Sequence, residues 1–170
     1  MKMNYLTVRK IAVAIIFLIG IMTINVYSQD MAVPVNLQAA LFKKIFTFDK
    51  TLQAKGSLEV VVLSGDGAGD EIVTAFKGAG VNAKAVKGSQ PPNGAAVVYV
   101  MPGVSAPKQA CAQKGVLSIS GVTSNVESGK VSISLGLEGG KPKIIVNLGQ
   151  LKAEGQELSA DLLKIAKVIQ

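Results

Sequence analysis

The chain has 170 residues, of which 49% are hydrophobic and 17% charged, a composition typical of a globular protein with a packed core. It contains no histidine and a single cysteine, Cys111, which excludes Ser-His-Asp and Cys-His catalysis, histidine-based zinc sites and an internal disulfide. The net charge is +7, but the lysines are scattered, Arg9 is the one arginine and tryptophan is absent, so we expect no nucleic-acid-binding surface.

The N-terminus has the three parts of a secretory signal. Lys2, Arg9 and Lys10 precede an apolar run over 11–22, and the small residues Val26 and Ser28 suit the −3 and −1 positions of a cleavage site. We predict a signal peptide over 1–28, cleaved after Ser28, and one domain over 29–170. The alternative is an uncleaved anchor, for which this run is short against the roughly 20 apolar residues of a membrane span. Loss of the three basic residues would lower the net charge from +7 to +4.

Beyond the signal, the spacing of apolar residues predicts alternating helices and strands. Apolar residues recur every three or four positions over 35–52, which predicts a helix, and the continuous β-branched run over 58–63 predicts a strand buried on both faces. Asp70 is placed to cap the next helix. The remaining patterns predict, in chain order, a helix over 71–78, strands over 81–86 and 95–101, a helix over 105–114, a strand over 116–120, a hairpin of a half-buried strand over 130–137 with a strand over 143–148, and a closing helix from Ser159 to Ile169.

This order of elements predicts the fold class. Strands that alternate with helices, followed by a hairpin, indicate a single α/β domain. We expect a mixed, mostly parallel sheet with helices on both faces and a C-terminal β-hairpin plus helix.

A glycine-rich turn, Gly65-Asp66-Gly67-Ala68-Gly69, follows the first strand and precedes a helix, where a dinucleotide fingerprint would lie. Its spacing is Gly-x-Gly-x-Gly, and Asp66 and Asp70 would repel a phosphate, so a flexible turn is the favoured interpretation. A calcium site is a weak alternative, because the spacing of an EF-hand loop is absent. Ligands do bind at this edge of open α/β sheets, so the Gly65–Asp70 turn remains a candidate small-molecule site.

Three apolar residues are candidates for contact with a partner protein. Phe42 belongs to a helix whose aromatic residues spread over more than one face, so one of them could be exposed. Leu151 and Leu158 stand among polar residues in the predicted connection over 149–158. All three could equally belong to the core.

Several segments resemble the YfiR-like family of small periplasmic regulatory proteins. The likeness is carried by the opening helix over 37–46, the strand over 115–120 and, most closely, the tail with Lys143-Ile144-Ile145-Val146-Asn147-Leu148 and the residues over 158–166. The resemblance implies a periplasmic α/β protein that represses a membrane-bound diguanylate cyclase by docking on its periplasmic sensor domain. Two features depart from the family pattern. Cys111 has no partner for a disulfide switch, and Phe48-Asp49-Lys50 stands where an aromatic-Trp-Pro signature is usual.

The leading hypothesis is therefore an exported, non-enzymatic regulator in cyclic-di-GMP signalling. Its expected partner is the periplasmic sensor domain of a membrane-bound cyclase or kinase, and a homodimer is possible. We expect no cofactor, no metal and no catalytic residues. The alternative is a periplasmic small-molecule-binding or enzymatic domain that uses the Gly65–Asp70 turn.

Overall fold

A computed structural model describes residues 31–65 and 69–170. The predicted signal and its cleavage site after Ser28 lie outside the described residues, as do Asp66, Gly67 and Ala68 of the glycine-rich turn.

The described residues form seven helices and seven strands. The helices are α1 (Val35–Phe46), α2 (Lys50–Ala54), α3 (Asp70–Gly78), α4 (Lys108–Lys114), α5 (Thr123–Glu127), α6 (Leu148–Ala153) and α7 (Ala160–Ile165). The strands are β1 (Glu59–Ser64), β2 (Asn82–Lys87), β3 (Val97–Val100), β4 (Leu117–Ser120), β5 (Ile133–Glu138), β6 (Lys141–Asn147) and β7 (Lys167–Ile169).

All seven of these strands join one mixed sheet in the order β2-β1-β3-β4-β5-β6-β7. Strands β1 to β5 run parallel, β6 returns antiparallel to β5 through the turn Gly139-Gly140, and β7 lies parallel to β6. The predicted fold class is therefore confirmed: the described residues form a single α/β domain with a mostly parallel mixed sheet.

Alternate residues of the central strands face two separate cores. Val60 and Val62 of β1 belong to the larger core, which α1, α2, α3 and α7 cover, whereas Val61 and Leu63 belong to the smaller core beneath α4. A third cluster packs α5 against β6. This two-sided burial explains why the sequence of β1 is a nearly continuous apolar run, since a strand covered by helices on both faces has no face exposed to solvent.

The larger core is centred on four aromatic rings whose centroids lie 6.0–6.5 Å apart: Phe42, Phe46, Phe76 and Tyr99. The Tyr99 hydroxyl, although buried, donates a hydrogen bond of 2.8 Å to Oε1 of Gln38, whose Nε2 donates to the Val33 carbonyl at 2.7 Å. The core therefore holds polar atoms that are hydrogen-bonded to one another, which avoids the cost of burying them alone.

Two helix starts differ from the sequence predictions. The predicted helix over 35–52 is broken, because α1 ends at Phe46 and Asp49 adopts an extended conformation and caps α2. Its Oδ1 accepts hydrogen bonds from the backbone N–H groups of Thr51 at 2.9 Å and Leu52 at 3.1 Å. Asp70 lies inside the first turn of α3, and Gly69 takes the N-cap position without a side-chain hydrogen bond.

Removal of the cap on α2 gives a first prediction. We expect Asp49→Ala to lower the free energy of unfolding by about 1 kcal/mol, because the side chain accepts from two backbone N–H groups of the first turn. Asp49→Asn keeps the accepting oxygen and should recover most of that loss. Urea unfolding of the three proteins measures the difference, and equal stability of the alanine and asparagine variants would contradict the capping role.

The C-terminal region also differs from its prediction. The closing helix ends at Ile165, Ala166 is extended, and the last residues form β7 instead of a further helical turn. The predicted connection over 149–158 contains α6, after which the chain crosses to the first helices. Leu158 forms a β-bridge with Asp49, and the Lys50 N–H donates to the Glu157 carbonyl at 3.0 Å.

Candidate docking groove

The three residues predicted to contact a partner lie in the core. Phe42 is 0% exposed, Leu151 is 3% exposed and Leu158 is 6% exposed. All three belong to the larger hydrophobic cluster, and the Phe42 ring meets that of Tyr99 edge-on at 6.1 Å. This burial corrects the expectation of a partner surface at these positions. The alternative left open by the sequence, that they are core residues, is the one that the structure supports.

Large apolar side chains are exposed elsewhere. Among the described residues, Leu37 is 41% exposed, Val168 40%, Leu137 49% and Ile165 63%. Ile165 ends α7, and Leu137 lies near the tip of the β5–β6 hairpin, so neither is surrounded by neighbouring strands and helices. Scattered exposed apolar residues need no explanation, but a cluster of them around a concavity marks a candidate interaction site.

A concavity lies where α1, α7 and the β5–β6 hairpin meet, and of the four exposed residues it includes Ile165. It has a volume of about 540 Å³. Its apolar lining comes from Leu41 and Phe48 on one side, Pro142 and Ile144 of β6 on a second, and Ile165 of α7 on the third. We call it the docking groove.

Charged residues surround this apolar lining. Lys44 comes from α1, Lys141 and Lys143 come from β6, and Glu138 ends β5. Lys143 is paired with Glu138 at an N–O distance of 3.3 Å, whereas Lys44 and Lys141 have no acidic partner among the described residues. The docking groove therefore combines an apolar floor with a net positive rim.

The sequence prediction missed this groove. Leu41, Ile45 and Leu162 lie on the apolar stripes of their helices, and those stripes do face the sheet. The predicted closing helix, however, runs to Ile169, which would place Ile165 on the same inward stripe as Leu162. Because α7 ends at Ile165, the side chain of that residue is exposed beside the hairpin. The one sequence feature that could have indicated the groove is the apolar stripe of α7, which continues to the last turn of that helix.

A second cavity, of about 470 Å³, lies at the carboxyl ends of β3 and β4. Its lining includes Ser105, Ser124, Asn125 and Lys130, so it is more polar than the docking groove. This edge is where ligands bind in open α/β sheets. The described part of the Gly65–Asp70 turn does not contribute to the lining, so the cavity lies apart from the small-molecule site considered from the sequence.

The most polar part of the interior lies on the face of the sheet opposite the larger core. Glu154 is fully buried, and its carboxylate accepts hydrogen bonds from the Ser118 backbone N–H at 3.0 Å, from Gln150 Nε2 at 2.8 Å, and from the hydroxyls of Ser118 and Ser132. Burial raises the pKa of Glu154 above its usual value, and the hydrogen bonds from Ser118, Ser132 and Gln150 partly offset that rise.

The buried Glu154 and Cys111 stabilise the fold and are not placed to react with a substrate. The Glu154 carboxylate is saturated by donors from the chain itself, and no solvent reaches it. Burial also raises the pKa of the Cys111 thiol to about 12, so the thiolate that reacts with oxidants is scarce near neutral pH. In the described part of the chain no cluster of three or more acidic or cysteine residues could hold a metal ion, and histidine is absent from the sequence.

A comparison with family models places the chain among known proteins. Residues 35–167 match the model of a protein family designated DUF4154 and described as YfiR/HmsC-like. The match extends from the start of α1 to the start of β7, so it spans the fold and both cavities. No curated protein matches the chain at a significant level of similarity. The resemblance noted from the sequence is confirmed.

Proposed function

We propose that this protein, which belongs to the YfiR/HmsC-like family, is a periplasmic regulator that binds the periplasmic sensor domain of a membrane-bound diguanylate cyclase and lowers cyclic-di-GMP synthesis. The observation that carries the proposal is the family match, which covers α1 to the start of β7. The family is one of periplasmic proteins that regulate diguanylate cyclases.

The chemistry of the chain supports a role in binding. With no histidine, the protein lacks the side chain that most often transfers protons near neutral pH. Within the described residues, burial raises the pKa of two carboxyl groups, those of Asp49 and Glu154, and both are fully buried and hydrogen-bonded within the domain. By contrast, the docking groove is open and apolar, as expected of a surface that contacts another protein.

Location is supported by the sequence before Met31. The basic residues, the apolar run and the small residues before Gln29 are those of an export signal. Within the described residues, no helix is both long enough and apolar enough to span a membrane. We propose that the domain acts after export and cleavage after Ser28.

The mechanism that we propose is a shift between two states of the cyclase. A protein that binds the inactive form of the sensor domain more tightly than the active form stabilises the inactive form by that difference in affinity. The catalytic domain on the other side of the membrane then produces less cyclic-di-GMP. Neither a covalent step nor a cofactor is required.

Affinity capture followed by a cyclase assay tests this function. The tagged mature protein is used to capture partners from solubilised membranes, and the gene for any captured cyclase is expressed with and without the exported protein. We expect cyclic-di-GMP to fall when both are present and to stay high when the protein is retained in the cytoplasm by deletion of residues 2–28.

Two outcomes would contradict the proposal. One is an unchanged cyclic-di-GMP level despite verified export and capture of the cyclase. The other is repression that persists when the protein is confined to the cytoplasm. Capture of no cyclase or kinase would favour a ligand-binding role, which a thermal-shift screen with nucleotides, sugars, amino acids and calcium would then examine.

A further inference from the structure

We propose that the docking groove binds an amphipathic helix of the partner, with an apolar stripe in the groove and acidic side chains beside it. This inference rests on the proposed function, because it assumes that a protein partner exists. It assigns to that partner a chemistry that the family match does not provide.

The shape of the groove supports a protein segment as its occupant. Its three walls come from α1, α7 and β6, and Leu41, Ile144 and Ile165 line it from three directions. An amphipathic helix placed in a groove buries side chains at positions i, i+3, i+4 and i+7. Leu37, one turn before Leu41 and 41% exposed, extends the apolar stripe of α1 beyond the groove. An occupant several turns long therefore finds apolar contacts along α1.

The charges of the groove favour acidic residues on that helix. Three lysines and one glutamate stand among its lining, and Lys44 and Lys141 have no acidic partner in the described part of the chain. The two lysines come from different walls, α1 and β6. Acidic side chains on both sides of an apolar stripe could therefore pair with them, which strengthens association and sets the orientation of the helix.

A partner strand is disfavoured at the same place. The part of β6 that lines the groove, Lys141–Ile144, pairs with β5 on one side, while β7 covers only Ile145–Asn147 on the other. An added strand would therefore have to bond to Lys141–Ile144. Pro142 has no N–H to donate there, and proline on an edge strand is a recognised obstacle to strand addition. This arrangement favours an occupant that binds through side chains, as a helix does.

A membrane surface is also disfavoured. Lysines beside apolar residues can bind anionic lipid, but such binding buries an apolar face that protrudes into the lipid headgroups. Here the apolar residues line a concavity of about 540 Å³, which a flat bilayer cannot fill. The concave shape therefore favours an inserted helix over lipid.

Designed peptides test the inference directly. The probe is a fluorescein-labelled amphipathic peptide of about five turns, with a leucine stripe flanked by glutamates. A twin peptide carries lysines in place of the glutamates, and a third keeps the glutamates but replaces the leucines by serines. Fluorescence anisotropy gives the dissociation constants. We expect the mature protein to bind the glutamate peptide at least about tenfold more tightly than either of the others.

Matched variants locate the binding. Ile165→Gln should weaken binding of the glutamate peptide about tenfold, because the isoleucine would be buried by the helix. Val168→Gln, at an exposed residue of β7 outside the groove, should leave it unchanged. Lys44→Glu with Lys141→Glu should reverse the preference in favour of the lysine peptide, whereas Lys87→Glu with Lys130→Glu should not. Circular dichroism and urea unfolding establish that each variant is folded.

Several results would overturn the inference: no binding of the glutamate peptide, equal binding of the glutamate and lysine peptides, or binding that the groove variants do not weaken. Co-sedimentation with phosphatidylglycerol vesicles that is lost in Ile165→Gln, without peptide binding, would assign the surface to a membrane. A dimer that Ile165→Gln converts to a monomer in sedimentation equilibrium would assign it to a second copy of the chain.

The cyclase assay separates failure of this inference from failure of the proposed function. If the protein lowers cyclic-di-GMP and the groove variants repress equally well, the function stands and the groove is not its docking surface. If the protein leaves cyclic-di-GMP unchanged but binds the glutamate peptide through the groove, the groove binds an acidic helix in some other role.

Discussion

Gly121→Ala should lower the free energy of unfolding by about 3 kcal/mol, because the new methyl group has no room. A Cβ atom at Gly121 would lie 2.5 Å from Gln38 Oε1, 2.6 Å from the Tyr99 hydroxyl oxygen and 2.8 Å from Gln38 Nε2. The two oxygens are the acceptor and the donor of the buried Gln38–Tyr99 hydrogen bond, and Nε2 donates to the Val33 carbonyl. To admit the methyl group the two side chains must separate, which leaves polar atoms without partners beside the aromatic cluster. For a domain of this size, the melting temperature should fall by roughly 6 to 12 °C.

Gly78→Ala provides the matched control. Gly78 is the last residue of α3, and a Cβ atom there would have no neighbour within 4 Å. Because alanine favours helical backbone over glycine, this variant should be as stable as the wild type or up to about 1 kcal/mol more stable. Calorimetry of both variants measures the contrast. Equal melting temperatures for the Gly121 and Gly78 variants would mean that Gln38 and Tyr99 can move apart without lowering the free energy of unfolding.

Glu154→Ala should have an effect of similar size on the opposite side of the sheet. Its removal takes the acceptor from the Ser118 backbone N–H and from the hydroxyls of Ser118 and Ser132, and it opens a space between α6 and β4. Gln150 Nε2 keeps only its longer hydrogen bond of 3.3 Å to the Lys108 carbonyl. Each buried donor that loses its partner costs about 1–3 kcal/mol, so we expect a loss of about 3 kcal/mol. Glu154→Gln should be milder, because Oε1 of Gln150 has no hydrogen-bond partner in the described structure and can accept from the amide introduced.

We also expect the difference in stability between the wild type and Glu154→Gln to depend on pH. Burial raises the folded-state pKa of Glu154 above its unfolded value of about 4.5, so the folded protein retains the proton where the unfolded chain has released it. The stability that this carboxyl group contributes is complete below that unfolded value and is lost as pH rises through the folded pKa. The free energy of unfolding of the wild type, minus that of Glu154→Gln, should therefore decrease with rising pH and then level off.

Urea unfolding at a series of pH values measures this difference. Asp49, whose pKa burial also raises, is present in both proteins, so its contribution cancels. A difference that stays constant, or that increases with pH, would mean that the hydrogen bonds from Ser118, Ser132 and Gln150 outweigh burial. The folded-state pKa of Glu154 would then not be raised.

Periodicity predicted the sheet better than it predicted the ends of the helices. The first strand, the strand over 95–101 and the hairpin were predicted from local patterns, and each is present as β1, β3 and β5–β6. The break after Phe46 and the end of α7 at Ile165 depend on distant contacts. Asp49, for example, pairs with Leu158 of the crossing segment. Such contacts leave no mark on the spacing of apolar residues.

The clearest error in predicting which residues are buried concerns the serines of β5 and of the residues just before it. The strand over 130–137 alternates polar and apolar residues, so it was predicted to be half-buried, yet Ser132 and Ser134 are fully buried. The Ser132 hydroxyl donates to Glu154, a residue that the sequence alone would place in solvent. Alternation distinguishes polar from apolar side chains, but it cannot identify polar side chains that hydrogen-bond to one another inside the protein.

The candidate site was the least predictable part. Phe42, Leu151 and Leu158 are apolar residues among polar neighbours, and that pattern alone does not distinguish a core residue from a contact residue. The docking groove depends instead on where α7 stops relative to the hairpin. Lys44 and Lys141, two of its three lysines, are 97 positions apart in the sequence, so only the folded chain brings them to one surface.

The separation in sequence of the walls of the docking groove has a consequence for which molecules can bind the partner. The groove draws one wall from α1, near the start of the domain, and its other walls from β6 and α7, near the end. A chain that has not yet crossed the membrane completely, or one that has lost its last turns to a protease, lacks the second and third walls. The partner would therefore be bound only by finished molecules, so that the amount of intact protein, and not the rate at which chains are started, would set the degree of regulation.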